Sequence, residues 1–402
     1  MTQAIMPLAV VGGGIVAGCA ARLFAQRGHD VLWVGPKESL QRSDGADQRA
    51  YALGPQAVSL LSDLGLWQTL KGHAQPIVSM EIRQSGERPA SGQPADLALN
   101  AQELGEDYLA WIVSHADLLA VIDSHSSLPV NISRAEAALH KISAGGSGLD
   151  APAVLSLEND QSYKARLVLA ADGQRSTVRR RLGLSWGIRR YQQTALICRL
   201  QSQKVHESVA MQWFQRGAVL ALLPLKDPNQ VSLVYSLPND RLRYFQSLGD
   251  EAFAQELSLA TGHRLGELSQ PTARGVSPLA MTLVPKTSLG RVLLLGDAAH
   301  TVHPLAGYGL NLGFQDLLRL ETFLSRHGIK AGKDHGDPGL LAQFAAQRHQ
   351  SVQAVQWGLD GLWRLIQPSP NVFELGRQFG LRAIQKVQPL RHQLIKLALH
   401  GA

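Results

Sequence analysis

Cysteines, long apolar runs and targeting signals are scarce in this sequence. Its 402 residues include two cysteines, Cys19 and Cys198, and no Cys/His spacing of the kind that binds zinc. A disulfide framework is therefore excluded, no metal site is expected, and a reducing intracellular compartment is indicated. No apolar stretch reaches the ~20 residues that span a bilayer, and the N-terminus has no charged start followed by a small-residue cleavage site. We expect a cytoplasmic protein.

Acidic residues are also absent from one part of the chain, the segment after Glu374. The basic residues that interleave there with apolar ones are Arg377, Arg382, Lys386, Arg391 and Lys396. This pattern predicts a basic amphipathic region that contacts anionic lipid or a protein partner; a surface helix with one face packed on the body fits it equally well. Although the formal net charge is +7, the remaining basic residues are dispersed and accompany no recognised binding module, so no nucleic-acid partner is expected.

The most informative segment runs from Gly296 to Asn311, between an apolar run typical of a strand and a pattern typical of a helix. At such a corner the backbone N–H groups of the first helical turn point outward, and the helix dipole favours an anionic ligand. A reduced flavin carries negative charge around N1 and C2=O, and Gly307 and Gly309 allow the backbone to approach a flat ring. The segment predicts a flavin contact; a strand–helix corner that needs glycine for its turn is the alternative.

A second signal is a βαβ pattern at the start of the chain, with a Gly-x-Gly-x-x-Ala fingerprint after the first strand. Gly12 makes the tight turn in this motif, Gly14 lets a pyrophosphate reach the helix N-terminus, and Ala17 lies where helix and strand pack closely. The fingerprint expects an acid at the end of the second strand, where this chain has Gly35. Either this adenosine contact is missing or Glu38 or Asp44 of the following loop supplies it. Because of the missing acid we expect Gly35→Glu to strengthen FAD retention.

A third segment, 170–179, follows another apolar strand and opens another helix. Asp172 and Gly173 are typical of a turn, and Ser176 and Arg179 can cap and brace the helix that follows. Taken alone, this segment indicates a capped turn more than a ligand site.

The three segments together, in this order, resemble the single-component FAD-dependent aromatic hydroxylases. Residues 300–313 and 47–53 are similar to the ubiquinone-biosynthesis branch of that family, and in the second segment the family's arginine, here Arg49, lies against the cofactor. The resemblance runs nearly end to end. Its departures are Tyr308 where the family usually has glutamine, Gly35 where it has an acid, Ala17 where it commonly has glycine, and Ser114 where many members have glutamate.

The resemblance implies an α/β fold like that of glutathione reductase and p-hydroxybenzoate hydroxylase. Residues 1–75, 100–185 and 275–345 would form a doubly wound FAD-binding domain. A sheet-rich substrate domain, 76–99 and 186–274, would be inserted into it, and 346–402 would form a helical C-terminal region. Three strand patterns, at 211–214, 218–223 and 231–236, support the insertion.

The resemblance also implies the chemistry and the residues of the site. FAD is the expected cofactor, with NADH or NADPH as a transient reductant. Reduced flavin and oxygen would form a C4a-hydroperoxide that attacks an electron-rich ring, while the protein orients the reactants and excludes water. The expected cofactor-binding residues are Gly12, Gly14, Ala17, Arg49, Asp172, Gly173, Asp297, Gly307, Gly309, Leu310 and Asn311. Pro304 and Tyr308 are the expected catalytic residues, whereas His300 and His303 are expected to be structural hydrogen-bonding groups.

The implied substrate is a phenol with a long prenyl chain, an intermediate on the way to ubiquinone. Such a substrate resides in lipid, which would give the basic tail a role at the inner face of the membrane or in a biosynthetic complex. Two alternatives remain open: a hydroxylase of a soluble aromatic on the same fold, and a flavin-poor, non-catalytic scaffold, which Gly35 and Tyr308 motivate.

Overall fold

The architecture is taken from a computed structural model of the chain. It describes residues 5–36, 48–84, 89, 91–92, 94–124, 127–215, 217–302, 308–327 and 334–366.

Strands and helices alternate in the first part of the chain, and strands dominate the middle. Within the described residues the strands are β1 (Ile5–Val11), β2 (Val31–Val34), β3 (Ala50–Leu53), β4 (Gln75–Ile77), β5 (Ser79–Gln84), β6 (Leu97–Asn100), β7 (Ala110–Ser114), β8 (Ile132–Ala135), β9 (Leu139–Ser143), β10 (Ala153–Leu157), β11 (Ser162–Ala170), β12 (Gly187–Ser202), β13 (Val209–Gln215), β14 (Ala218–Pro224), β15 (Gln230–Pro238), β16 (Leu268–Ser269), β17 (Gly275–Leu283), β18 (Ser288–Leu289) and β19 (Val292–Leu294). The α-helices are α1 (Ile15–Gln26), α2 (Pro55–Asp63), α3 (Trp67–Lys71), α4 (His115–Ile122), α5 (Thr177–Arg181), α6 (Asn239–Ser247), α7 (Asp250–Ala260), α8 (Tyr308–Arg326) and α9 (Pro338–Ile366).

The first sheet, called here the nucleotide sheet, has the strand order β18-β19-β11-β1-β2-β8, with β10 and β9 added beyond β11. Strands β19, β11, β1, β2 and β8 run parallel. Most of their residues are apolar and buried on both faces, as expected when helices and loops cover both sides of a parallel sheet. The carboxyl ends of β1, β2, β11 and β19 therefore lie along one edge, where loops can form a binding crevice.

The second sheet, the substrate sheet, has the order β16-β12-β15-β14-β13-β5-β6, with β17 paired to β12. Side chains alternate between its two faces because successive residues of a strand point in opposite directions. One face is fully covered by α6 and α7 and buries Trp213, Tyr235 and Phe253. The opposite face, called here the inner face, carries Phe214, Ala221, Leu223 and Val234 and is covered only in part.

The predicted α/β fold with a sheet-rich insertion is confirmed. The helix that the sequence predicts after the Gly296–Asn311 segment extends over Tyr308–Arg326. A third, smaller sheet, β3-β7-β4, is built from strands that come before and after β5 and β6 in the chain. None of the helices in the described part of the chain combines the length and apolar character that crossing a bilayer requires. The basic segment after Glu374 lies outside the described residues.

Candidate flavin site

The fingerprint loop between β1 and α1 is a tight turn held against the nucleotide sheet. Gly12 has φ +140°, and a Cβ there would lie 2.7 Å from the carbonyl carbon of Ala171. The Gly12 N–H donates to the Val34 carbonyl at 2.8 Å, and its carbonyl accepts from Nε1 of Trp33 at 2.7 Å. Gly14 precedes the helix as its extended N-cap residue, without a capping side chain. The loop therefore leaves the N–H groups of the first turn of α1 available to an anion.

Close packing of α1 is achieved at two adjacent small residues. Ala17 is fully buried, and its Cβ would be 3.1 Å from a Cβ at Gly12. The tighter approach is at Gly18, where a Cβ would overlap Ile122 and would lie 3.0 Å from the ring of Trp33. The fingerprint reading identified Ala17 and missed Gly18.

Gly35 has a structural reason to be glycine, and this corrects the expectation for Gly35→Glu. Its φ is +153°, and a Cβ would lie 2.8 Å from the carbonyl carbon of Gly12 and 3.0 Å from the nitrogen of Gly13. A glutamate at this position would push into the backbone of the fingerprint loop, so it would disturb the loop rather than add a ribose contact.

Asp172 and Gly173 form the predicted turn at the carboxyl end of β11. Gly173 has φ +78°, and Oδ2 of Asp172 accepts from the backbone N–H groups of Thr177 and Val178 at 2.7 and 3.0 Å. Ser176 caps the same helix by accepting from the Arg179 N–H. The other oxygen, Oδ1 of Asp172, is buried and has no hydrogen-bond partner among the described residues. Such an orphaned acceptor indicates that a group outside the polypeptide completes its environment.

Arg179 connects this turn to the segment that begins at Gly296, a link that sequence reasoning did not identify. Its buried guanidinium donates to the carbonyl of Ala298 at 2.6 Å and to the carbonyl of Gln174 at 2.7 Å. The two motifs are 119 residues apart in the chain, and only their common position at one edge of the sheet brings them together.

Asp297 and Arg49, both predicted to bind the cofactor, are brought near each other. Asp297 follows Gly296 in a short 3₁₀ turn after β19, and its side chain is exposed to solvent. The surrounding protein nevertheless desolvates the carboxylate and raises its pKa, against the attraction of His300 and Arg49, which lowers it. Arg49 precedes β3, and its exposed side chain faces the same region. A polar, hydroxyl-rich ligand would satisfy a carboxylate placed in this way.

Behind Asp297 lies a buried carboxylate that the sequence reading missed, Asp316 of α8. Its Oδ2 accepts from the Gly296 N–H and bonds to Nε2 of His300, both at 2.8 Å. Its Oδ1 accepts from Nε of Arg348 at 2.6 Å. Burial alone would raise the pKa of Asp316, but His300, Arg348 and the Gly296 hydrogen bond lower it to about 2. A signal was present in the sequence: Asp316 is an acid on the same helical face as Leu312 and Leu320, where a core residue is expected.

His300 is therefore a buried structural hydrogen-bonding group in this structure, with Asp316 as its partner. The residue after His300, Thr301, is held by β17 and α9. The Thr282 N–H donates to Oγ1 of Thr301 at 2.7 Å, and Nε2 of Gln356 donates to the carbonyls of Thr282 and Thr301, both at 3.1 Å. The loop after β19 is thus held by α8, β17 and α9 as far as residue 302.

The first turn of α8 begins at Tyr308, so the N–H groups of residues 308–311 have no acceptor within the helix. A Cβ at Gly309 would meet no described atom within 4 Å, which leaves this backbone open to a flat ligand. Leu310 packs against the main core. The Asn311 side chain is already engaged: Nδ2 donates to the Ala52 carbonyl at 2.7 Å, and Oδ1 accepts from the Gly54 N–H at 3.0 Å. Of the donors of Asn311, only the backbone N–H therefore remains a candidate for cofactor binding.

Several predicted positions lie outside the described residues. They are Glu38, Asp44, His303, Pro304 and Gly307, together with the side chain of Tyr308. Their assignments stay predictions.

The described residues fit FAD. Gly12 makes a tight turn with no room for a Cβ before the first turn of α1, Asp172 has an orphaned buried oxygen, and the start of α8 is open at Gly309. The first and last of these features are where the motifs predicted contact with the pyrophosphate and the flavin ring, and Asp172 is among the residues expected to bind the cofactor. Gly35 is one of the departures from the family pattern, and its backbone geometry explains why no acid stands there.

Comparison with known proteins agrees with this geometry. A family model described as "FAD binding domain" matches residues 6–357. The chain is 29% identical to the ubiquinone hydroxylase UbiL of Rhodospirillum rubrum over 97% of this chain and 88% of that protein. It is 27% identical to the 3-demethoxyubiquinol 3-hydroxylase of Escherichia coli over 99% of this chain and 100% of that protein. The predicted resemblance to ubiquinone-biosynthesis hydroxylases is confirmed by these relatives.

A solved structure supports the fold. The p-nitrophenol 4-monooxygenase PnpA of Pseudomonas putida superposes with a TM-score of 0.77 at 17% identity and covers 98% of this chain and 97% of its own. The predicted hydroxylase-type fold and the predicted cofactor, FAD, are both confirmed. The chain belongs to the FAD binding domain family and is an FAD-dependent monooxygenase.

Proposed function

We propose that this monooxygenase uses NADH or NADPH to hydroxylate the aromatic ring of a prenylated phenol, an intermediate of ubiquinone biosynthesis. The relatives named above act on ubiquinone or its precursors by their printed names. The single observation that carries the proposal is the inner face of the substrate sheet, where the half-buried side chains of Phe214, Ala221, Leu223 and Val234 are apolar.

The position of the inner face follows from what covers its two ends. At one end Leu223 packs in a cluster with Ala50 and Ala52 of β3, the strand that Asn311 of α8 holds by its backbone. At the other end the inner face is covered by α9. Arg348 of this helix binds Asp316, which holds the loop after β19. The half-buried side chains between these ends therefore face the start of α8. An apolar wall beside the flavin suits a substrate with a hydrocarbon chain.

The residues of the flavin site have distinct proposed roles. When bound and reduced, FAD supplies the oxygen-activating chemistry. Asp297 accepts hydrogen bonds from the ribityl hydroxyls, Arg49 holds the cofactor from the opposite side, and the N–H groups at the start of α8 stabilise negative charge on the flavin ring. Pro304 and Tyr308 are proposed to lie beside the reacting edge.

The decisive experiment is product analysis with purified, FAD-loaded enzyme. NAD(P)H oxidation is expected to rise on addition of a prenylated phenol, and mass spectrometry is expected to detect the phenol plus one oxygen atom. Stimulation by short-chain phenols alone would favour a hydroxylase of soluble aromatics. A protein without flavin absorbance even after addition of FAD would favour the non-catalytic scaffold.

The division of the chain into an FAD-binding domain, a substrate domain and a helical C-terminal region at the boundaries given above is part of this proposal. So is contact of the basic tail with an anionic membrane surface or a biosynthetic complex. Cosedimentation with phosphatidylglycerol vesicles tests the membrane contact. Replacement of the five basic residues after Glu374 by glutamine should abolish cosedimentation and leave FAD content unchanged.

A further inference from the structure

Trp363, near the end of α9, lies on the inner face of the substrate sheet. Its ring packs against that of Tyr191 with centroids 4.8 Å apart, and Trp363 and Phe214 both pack against Val219 of β14. Nε1 of Trp363 donates to Oε1 of Gln193 at 3.0 Å, and Nε2 of Gln193 donates to the carbonyl of Gly217 at 2.6 Å. The orientation of the indole is therefore fixed by stacking and by a hydrogen-bond chain.

The helix that carries Trp363 is itself anchored at this point. Asp360, one turn earlier, is 2% exposed at its side chain and pairs with Arg189 of β12 at 2.9 Å. Arg364 reaches the same carboxylate oxygen at 3.0 Å. Because lifting α9 would separate this buried carboxylate from Arg189, α9 resists displacement of Trp363 from the sheet.

Trp363 covers only part of the inner face. It packs against the buried apolar cluster that includes Ala195 of β12 and Leu279 and Met281 of β17, which places it at the β17 end. Beyond it, toward the third sheet, Phe214, Ala221 and Leu223 remain only half-buried. The inner face is thus divided into a closed end and an open apolar stretch.

We propose that Trp363 is a specificity-determining residue, which closes the substrate cavity at its β17 end. On this proposal, which rests on the proposed function, the substrate ring and its chain occupy the open stretch along Phe214, Ala221 and Leu223. A substituent on the ring that points toward β17 meets the indole and is rejected.

A gain of activity tests this directly, since misfolding cannot create one. The probes are 2-geranylphenol and 2-geranyl-5-tert-butylphenol, whose added group lies across the ring from the chain. Wild-type enzyme is expected to hydroxylate the first and not the second. Trp363→Ala is expected to raise kcat/KM for the second probe at least about tenfold, because the removed indole leaves room for the tert-butyl group.

The same helix offers a matched control. Trp357 is 59% exposed, so Trp357→Ala should leave both kcat/KM values unchanged. Trp363→Leu, which retains an apolar side chain, should give a smaller gain and guards against unfolding of the alanine variant; FAD content should match wild type throughout.

The outcomes distinguish failure of the role of Trp363 from failure of the proposed function. If Trp363→Ala and Trp363→Leu bind FAD and use 2-geranylphenol but show no gain with the bulky probe, the role of Trp363 is overturned and the proposed function stands. If wild-type enzyme responds to neither probe while binding FAD, the proposed function fails, and this inference fails with it.

Discussion

Arg348 of α9 and Asp316 of α8 form a buried ion pair, with 2.6 Å between Nε and Oδ1. A second nitrogen of Arg348 donates to the carbonyl of Leu312 at 3.1 Å, which fixes the guanidinium against α8. The same carboxylate holds the Gly296 N–H and His300 on its other oxygen. One side chain therefore joins α9, α8 and the loop that carries Asp297, and the geometry of the flavin site depends on it.

Replacement of either residue of this ion pair should lower the free energy of unfolding. Asp316→Asn and Arg348→Met are each expected to lower the free energy of unfolding by about 3 to 5 kcal/mol, because each leaves a buried charge without its partner. The double variant should lose less than the sum of the two. Urea denaturation of the four proteins measures this coupling. Glu321→Gln, on the same helix but in a partly exposed pair with Arg27, should cost less than about 1 kcal/mol. Additive losses would contradict the coupling.

The way in which the free energy of unfolding changes with pH should depend on the ionisation of Asp316. The pKa of this carboxyl is about 2 in the folded protein, below the ordinary value of 3.8. A lowered folded pKa contributes stability that is fully present above 3.8 and is lost as the pH falls from there toward 2. The contribution is roughly 2 kcal/mol. Urea unfolding between pH 5 and 2.5 should therefore show a shallower pH dependence in Asp316→Asn than in wild type. Parallel curves would argue against an ionised Asp316.

Sequence reasoning succeeded where the cause of a structure is local. The turn at Gly12, the capped turn at Asp172 and the helix starting near Leu310 each follow from a few neighbouring residues. It missed the roles of Asp316, Arg348 and Gln356 and the hydrogen bond from Arg179 to Ala298, because these depend on partners brought together by the sheet order. Gly35 shows the same limit: its motif position suggested a missing acid, while the contact with Gly12 comes from the adjacent strand.

Gly35 should tolerate no side chain. Gly35→Ala is expected to destabilise the protein and weaken FAD binding, because its Cβ would lie 2.8 Å from the Gly12 carbonyl carbon. Gly28 is a matched control: it also has a positive φ, +87°, but a Cβ there meets no described atom within 4 Å. Gly28→Ala should cost only the strain of the backbone, about 1 kcal/mol. Thermal melting and FAD titration measure both effects. Equal behaviour of the two variants would show that contact with the fingerprint loop is unimportant.

Asp297 should matter for binding and not for folding. Burial by the surrounding protein raises its pKa, and an acid with a raised folded pKa disfavours the native state once the pH exceeds its ordinary value. Asp297→Ala is therefore expected to leave the melting temperature of the apoprotein unchanged or slightly higher at pH 7, while its FAD content falls strongly. Absorbance in the flavin bands and calorimetry of the apoprotein measure the two quantities. Unchanged flavin content would refute the proposed ribityl contact.

The two cysteines should act as separate reporters of the two large sheets. Cys19 lies in α1 behind the fingerprint loop, and Cys198 lies in β12 of the substrate sheet; both are buried. Burial raises the pKa of each thiol to about 12, and the thiolate is the reactive form. Neither should react with a thiol reagent at pH 8 until the surrounding structure opens, and both should react in denaturant. Because FAD is proposed to bind beside α1, excess FAD should slow the labelling of Cys19 and leave that of Cys198 unchanged, as peptide mass spectrometry would measure. Equal protection of both thiols would mean that the sheets open as one unit, and rapid labelling of Cys19 in the native protein would contradict the packing of α1.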